Sequence, residues 1–430
     1  MKEYKVGILG FGTVGAGVAD CLLNNVEVIA KRTGVKPVLA GIADLDIKTD
    51  RGIKVPKELL TTDASELIHH VDVVVELIGG TTVAKKFILQ ALNEGKSVVT
   101  ANKALLAEHG EELFAAAEKN HADLYYEASV GGGIPIIKSL REGFSGNRIS
   151  RIYGILNGTC NYILTRMERE GIDFAPVLKD AQQLGYAEAN PSLDIDGFDT
   201  AHKAAILAAL AYGKWFGMDP IYVQGIRDVS LADIKFAGEL GYKIKLLAIL
   251  KQDGENNVEI RVHPTMIPKR TQLAMIDEVF NGVMVTGDYV GDTLFYGRGA
   301  GRNATASAVV SDIVDIGLNL AHQAPRRIAS FREGPQFSNI VKMEDVKSRY
   351  YLRIQVLDMP GVLAKATRIL GENDISISSL VQQEGQSQNN VSLLIITHQT
   401  LEKHIKAAIG QINALPEVRD TVKLIRIEDI

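Results

Sequence analysis

Four carboxylates and one lysine crowd into the stretch from Gly185 to Lys203: Glu188, Asp194, Asp196 and Asp199, with Lys203 one helical turn after the last. Gly185, Pro191 and Gly197 set the shape of this loop, while Leu193, Ile195 and Phe198 alternate with the acids. From Thr200 onward the residues read as a buried, Ala-rich helix. Asp199 sits near its start, where an anion complements the helix dipole. Asp199 and Lys203 are four apart and share one helical face. A lysine among alanines is poorly hydrated, the condition under which its pKa falls and it exchanges protons. The same spacing also suits an ordinary ion pair, with the other acids as caps and Asx-turns. Both readings stand at this point.

A second chemical signal lies at the other end of the chain. Gly10-Phe11-Gly12-Thr13-Val14-Gly15 follows the strand Val6–Leu9 and opens a helix at Thr13. In that context G-x-G-x-x-G reads as a dinucleotide turn, with the pyrophosphate on the helix N-terminus. Asp44 ends the second strand, where a carboxylate would bond a ribose 2′-hydroxyl, but Lys48, Arg51 and Lys54 follow and could hold a 2′-phosphate. Cys160, at the helix start Gly158-Thr159-Cys160-Asn161, is either a packing residue or the nucleophile of an acyl-forming semialdehyde dehydrogenase. A non-catalytic sensor of nucleotide and amino acid is a further alternative, although a sensor has no need of a proton donor. The nine histidines are scattered, so no zinc site is expected.

These groups need elements to position them. Residues 1–135 alternate apolar strands with helices: strands at Tyr4–Leu9, Pro37–Ala43, Asp72–Leu77, Ser97–Thr100 and Asp123–Glu127, and helices at Thr13–Leu23, Ala64–His69, Lys85–Asn93 and Gly110–Lys119. That order predicts an α/β fold with a Rossmann-type doubly wound parallel sheet. Residues 136–300 predict a second, α+β domain with helices Asn161–Glu170 and Thr200–Phe216 and strands Lys243–Leu250 and Val258–Val262. Residues 301–324 form a helix returning to the nucleotide domain, and 325–348, with Pro325, Pro335 and Ser338, a linker. Residues 349–430 read as a self-contained βαββαβ unit, the ferredoxin-like arrangement.

The chain has 430 residues, 46% hydrophobic and 23% charged, enough for several ordinary cores. A net charge of −5 offers no basic footprint for nucleic acid or an anionic membrane. Two cysteines are too few for a disulfide framework, and Met1-Lys2-Glu3 runs straight into a strand. Apolar runs such as 204–212 are too short to span a bilayer. A cytoplasmic protein is expected.

The acidic loop with its lysine resembles the signature of the homoserine dehydrogenase family. So do Thr100-Ala101-Asn102-Lys103, the segment from Glu127 through Val130, Gly131, Gly132 and Gly133 to Ile134-Pro135, and Leu156-Asn157-Gly158-Thr159. The resemblance covers the whole chain, and the tail is similar to an ACT regulatory domain. With no aspartokinase before the glycine turn, it implies the monofunctional form. It further implies NADP- or NAD-linked interconversion of L-homoserine and L-aspartate 4-semialdehyde, in threonine, methionine and isoleucine biosynthesis. Lys203 would be the general acid/base, and Glu188, Asp194 and Asp199 would hold the substrate. Thr100 and Lys103 would lie where nicotinamide meets substrate, and Gly185 and Gly301 would approach the cofactor. Glu127 and the carbonyls of Val130, Gly132 and Ile134 would ligate a sodium ion. The middle domain would dimerise, giving a homodimer or homotetramer, and the tail would bind an amino-acid effector, threonine by pathway logic. Asp358, Pro360, Gly361 and Asn373, flanking the first tail helix, would lie at that effector site.

Overall fold

The structure is a computed structural model that describes residues 2–332, 337, 339–384 and 390–430. Pro335 and Ser338 of the expected linker lie outside the described residues. Six strands alternate with helices at the front of the chain: β1 (Lys2–Leu9), β2 (Val35–Ala43), β3 (Leu60–Thr61), β4 (Val73–Glu76), β5 (Ser97–Thr100) and β6 (Leu124–Tyr125). They pair in parallel in the order β3-β2-β1-β4-β5-β6, the doubly wound sheet expected. Val73, Val74, Val75, Val98 and Val99 are all buried because helices cover both faces of the sheet. Strand order reverses between β1 and β4, so a crevice opens at their C-terminal ends.

The helix Arg302–Ala321 returns to this sheet, as expected. Tyr4 Oη donates to the Ile313 carbonyl at 3.0 Å. Gly317 lets the Tyr4 ring lie on the helix, since a Cβ there would come within 2.3 Å of it. By length and composition this helix is apolar enough to cross a membrane, contrary to the expectation of short runs only. Its apolarity serves packing, because 56% of that apolar window is buried inside the fold.

Element ends differ from expectation where local chemistry decides. The helix Lys103–Lys119 starts well before Gly110, because Asn102 caps it by accepting from Leu105 N at 3.2 Å. Phe198–Tyr212 stops short of Phe216 because Gly213 turns left-handed, with φ 68°. The last front strand ends at Tyr125, and Glu127 begins a 3₁₀ turn. Helices Val26–Thr33 and Phe174–Gln183 go beyond the expected set.

The main correction concerns the tail. Its strands do order as Lys423–Ile427, Lys347–Leu357, Asn390–Thr397, Ile377–Glu384, the ferredoxin-like pattern. They are not self-contained. Lys423–Ile427 pairs in parallel with Asn257–Pro268, setting Thr265 against Arg426 and Met266 against Ile427. One 12-stranded sheet therefore runs through the middle domain and the tail, which closes an edge that would otherwise stay unpaired. Buried polar pairs seal the junction: Arg261 Nη2 donates to Glu428 Oε1 at 2.6 Å, Arg426 Nη1 donates to Gln224 Oε1 at 2.8 Å, and Arg353 Nε donates to Asp233 Oδ1 at 2.7 Å.

Asp233 is 1% exposed, so removing its guanidinium partner strands a buried charge. Arg353→Ala is expected to cost about 3 to 5 kcal/mol. A thermal unfolding midpoint unchanged from the parent would contradict that ledger.

Candidate active site

The glycine turn is built for close approach. Gly10 has φ 104°, and a Cβ there would lie 2.6 Å from the Leu77 backbone. A Cβ on Gly15 would sit 2.0 Å from the Gly10 carbonyl oxygen. Gly12, at the N-cap of the helix Thr13–Asn24, faces open space. Phe11, Thr13 and Val14 complete the turn, and Phe11 N donates to Asp44 Oδ2 at 2.5 Å. Asp46 N donates to Asp44 Oδ1 at 2.8 Å, so both oxygens of Asp44 already shape the loop. Open space over Gly12, a free helix N-terminus and tightly folded flanks fit a dinucleotide pyrophosphate.

From this turn a bonded path runs along the crevice. Leu77 N donates to the Leu9 carbonyl at 2.8 Å, placing the end of β4 beside the turn. Glu76, fully buried at the end of β4, accepts from Thr100 Oγ1 at 2.7 Å and from the backbone N–H groups of Ile78 and Gly79 at 2.8 and 3.1 Å. Burial pushes its carboxyl up, and these bonds only partly oppose it. Asn102 Nδ2 donates to the Gly80 carbonyl at 2.7 Å. Lys103, next in sequence, reaches out of the nucleotide domain, and its Nζ lies 3.2 Å from Asp199 Oδ1.

Asp199 is where the domains meet. Its Oδ2 accepts from Lys203 Nζ at 2.7 Å and from Asn157 Nδ2 at 2.9 Å. Burial alone would raise the Asp199 carboxyl. The Lys203 and Lys103 ammoniums, with the bonds from Lys203 and Asn157, overcome it and hold it well below the usual carboxylate range. Lys203 is 9% exposed, and its Nζ also donates to the Leu156 carbonyl at 2.7 Å. Asp199–Lys203 is thus an i,i+4 pair, and it is buried at the crevice. Asp194 joins through Asn157 Nδ2 at 2.7 Å; burial pushes its carboxyl up, the Asn157 bond opposes this, and Asp199 adds to it.

Other expected residues stand apart. Glu188 is exposed; its carbonyl accepts from Gln182 Nε2 at 3.0 Å, and among the described residues its carboxylate makes no bond to the cluster. Gly185 and Gly301 are exposed with φ of 75° and 116° and open space where a Cβ would stand. Arg302, beside Gly301, packs on Gly17 of the first helix. Glu127 is buried, and its carboxylate accepts from Ile137 N at 2.9 Å and Lys138 N at 2.7 Å. Burial pushes that carboxyl up to about 7. Val130 and Gly132 are buried and their carbonyls accept no hydrogen bond among the described residues, whereas that of Ile134 accepts from Ile136 N at 2.8 Å. Unpartnered buried carbonyls that follow a buried carboxylate closely in sequence suit a small hard cation. Among the described residues no group of three or more His, Cys, Asp or Glu could hold a metal.

Cys160 is fully buried and burial pushes its thiol well up; its Sγ donates to the Asp194 carbonyl at 3.2 Å. A fully buried thiol held in its protonated form suits packing. Asn157 and Glu76 carry the site yet no role was expected for either. A lone acid closing the apolar strand Val73–Glu76 was the available signal for Glu76. Asn157 reads only as a helix cap, because its carboxylate partners lie 37 and 42 residues away.

Hydride chemistry needs a proton carrier near the dinucleotide, and the path that starts at Gly10 ends at the buried amine of Lys203. The fold and site are those of an NAD(P)-dependent oxidoreductase. Relatives agree. Family profiles described as "Homoserine dehydrogenase, NAD binding domain" match residues 10–127, "Homoserine dehydrogenase" residues 135–314, and "ACT domain" residues 350–417. The homoserine dehydrogenase of Neisseria gonorrhoeae is 46% identical over 436 residues, covering 100% of both chains. The crystal structure of one from Thiobacillus denitrificans superposes with a TM-score of 0.94 at 45% identity, over 100% of this chain and 99% of that one. A hyperthermophilic archaeal homoserine dehydrogenase in complex with NADPH matches with a TM-score of 0.61 at 30% identity, over 74% of this chain and 98% of that one. The chain belongs to the homoserine dehydrogenase family.

The depressed Asp199 carboxyl has a thermodynamic sign. Its contribution to stability is fully present above the unfolded-state value of about 4 and is lost as pH falls through the lower folded value. Acid titration of unfolding should therefore be shallower in Asp199→Asn than in the parent. Identical slopes would mean that the carboxylate is not held ionised by its lysines.

Proposed function

We propose that the chain catalyses NADP-linked interconversion of L-homoserine and L-aspartate 4-semialdehyde with Lys203 as the general acid/base. The observation that carries this reading is the Asp199 carboxylate shared by Lys203 and Lys103 at the crevice. When bound, the nicotinamide supplies or takes the hydride at the substrate's reacting carbon. Lys203 gives its proton to the developing alkoxide in reduction and takes it from the hydroxyl in oxidation, a step worth about 10² to 10⁴ in rate. Lys103 and Thr100 line the join between nicotinamide and substrate. Glu188, exposed on its loop, and the Asp194–Asp199 pair receive the substrate's ammonium. Gly185 and Gly301 flank the cofactor.

NADP is favoured over NAD because Asp44 is engaged by its own loop, while the cations Lys48, Arg51 and Lys54 follow it. The archaeal relative in complex with NADPH supports the same choice. Glu127 with the carbonyls of Val130, Gly132 and Ile134 holds sodium, which fastens the loop that joins the nucleotide and middle domains. The ACT domain binds an amino acid, threonine by pathway logic, beside Asp358, Pro360, Gly361 and Asn373, and so regulates a cytoplasmic enzyme of threonine, methionine and isoleucine synthesis. Tyr289 and Tyr296 are exposed along the edge hairpin of the middle sheet, which supports a homodimer or homotetramer.

Lys203→Ala should lose about 10² to 10⁴ in kcat while binding NADPH normally, and initial rates with NADPH should exceed those with NADH. Near-parent turnover by that variant would remove Lys203 from the mechanism. In the parent enzyme, sodium should raise the unfolding midpoint where tetramethylammonium does not, threonine should inhibit, and light scattering should give two or four chains. A flat response to either ligand would discard the corresponding site.

A further inference from the structure

Asn157 makes two kinds of contact at once, and the combination restricts what residue can stand there. It is 5% exposed and caps the helix Gly158–Glu170, its Oδ1 accepting from Cys160 N at 2.8 Å. That bond fixes the amide's orientation, so the NH₂ group points away from the helix. Its two hydrogens go to Asp194 Oδ1 at 2.7 Å and Asp199 Oδ2 at 2.9 Å. The preceding carbonyl, of Leu156, accepts from Lys203 Nζ at 2.7 Å. Leu156 and Asn157 thus grip the amine directly and through its carboxylate. An ammonium has three N–H directions. The Leu156 carbonyl and Asp199 Oδ2 take two, leaving one to aim at a substrate oxygen.

We propose that Asn157 is a positioning residue for this reaction: its side-chain amide clamps Asp194 to Asp199 and thereby aims the Lys203 amine. The inference rests on the reading of Lys203 given above. Ser, Thr or Asp would cap the helix equally well. None of them adds two donors, so capping alone does not account for the asparagine. The charged and titratable groups facing the amine are Asp199 and His202 on its own helix, Asp194 on the short helix Ser192–Ile195, Lys103 from the nucleotide domain and Cys160 from the capped helix.

Two variants separate the clamp from the cap. Asn157→Ser keeps a capping oxygen and loses both donors. Asn157→Asp keeps the cap and replaces the donors with a third carboxylate beside the amine. For Asn157→Ser we expect kcat to fall about tenfold to a hundredfold with the KM for NADPH unchanged. For Asn157→Asp the pH–rate profile of homoserine oxidation should move alkaline by about one unit, because added negative charge favours the ammonium. Either folded variant decides, and the clamp is overturned if its kcat and pH profile match the parent. Lys203→Ala is assayed alongside. If that enzyme still turns over, the Lys203 reading itself fails; if it is inactive while the Asn157 variants behave like the parent, only this inference fails.

Discussion

One buried carboxylate, Asp199, is shared by two ammonium groups from separate parts of the chain. Lys203 comes from its own helix, one turn on, and Lys103 from the helix that leaves the parallel sheet after β5. An ionised group removed from water must be paired and hydrogen-bonded or it will not stay ionised. Lys203 and Asn157 serve one oxygen of Asp199, and Lys103, from the nucleotide domain, serves the other. The cluster is therefore a structural tie between domains as well as a set of polar groups with chemical potential.

The same constraint places the chemistry. Gly10 abuts Leu77, Glu76 fastens Thr100, Asn102 fastens Gly80, and Lys103 reaches Asp199. The first link is close packing and the others are short polar contacts, all starting from residues at the C-terminal edge of the sheet, where a doubly wound fold receives its ligand. On the proposed mechanism, proton and hydride are exchanged at neighbouring points because this chain of contacts leaves little freedom between them. The tail is coupled differently. Its sheet is an extension of the middle sheet, so a force on the ACT domain acts on strands that pack beneath the Lys203 helix.

Much of this was legible in the residue order. The glycine turn, the alternation that makes the sheet, the returning helix and the Asp199–Lys203 face all follow from local spacing, because a helix or strand imposes its period on neighbours in sequence. What could not be read depends on distant partners. Asn157 looks like any helix cap until Asp194 and Asp199 are folded against it. The tail looks independent because pairs such as Arg353–Asp233 and Arg261–Glu428 join residues far apart in the chain, and no local pattern announces them. Glu188 shows the opposite limit: it stands in the most informative stretch, yet it is exposed and unbonded to the cluster, so any role it has awaits a bound substrate.

On the proposed mechanism the Lys203 amine, held by Asp199 and the Leu156 carbonyl, carries the proton. The most direct measurement is chemical rescue of a Lys203→Gly enzyme by small primary amines. If Lys203 carries the proton, a low basal kcat rises with added amine, saturates, and depends on the amine's basicity. Parent-like turnover by Lys203→Gly with no amine present would contradict it.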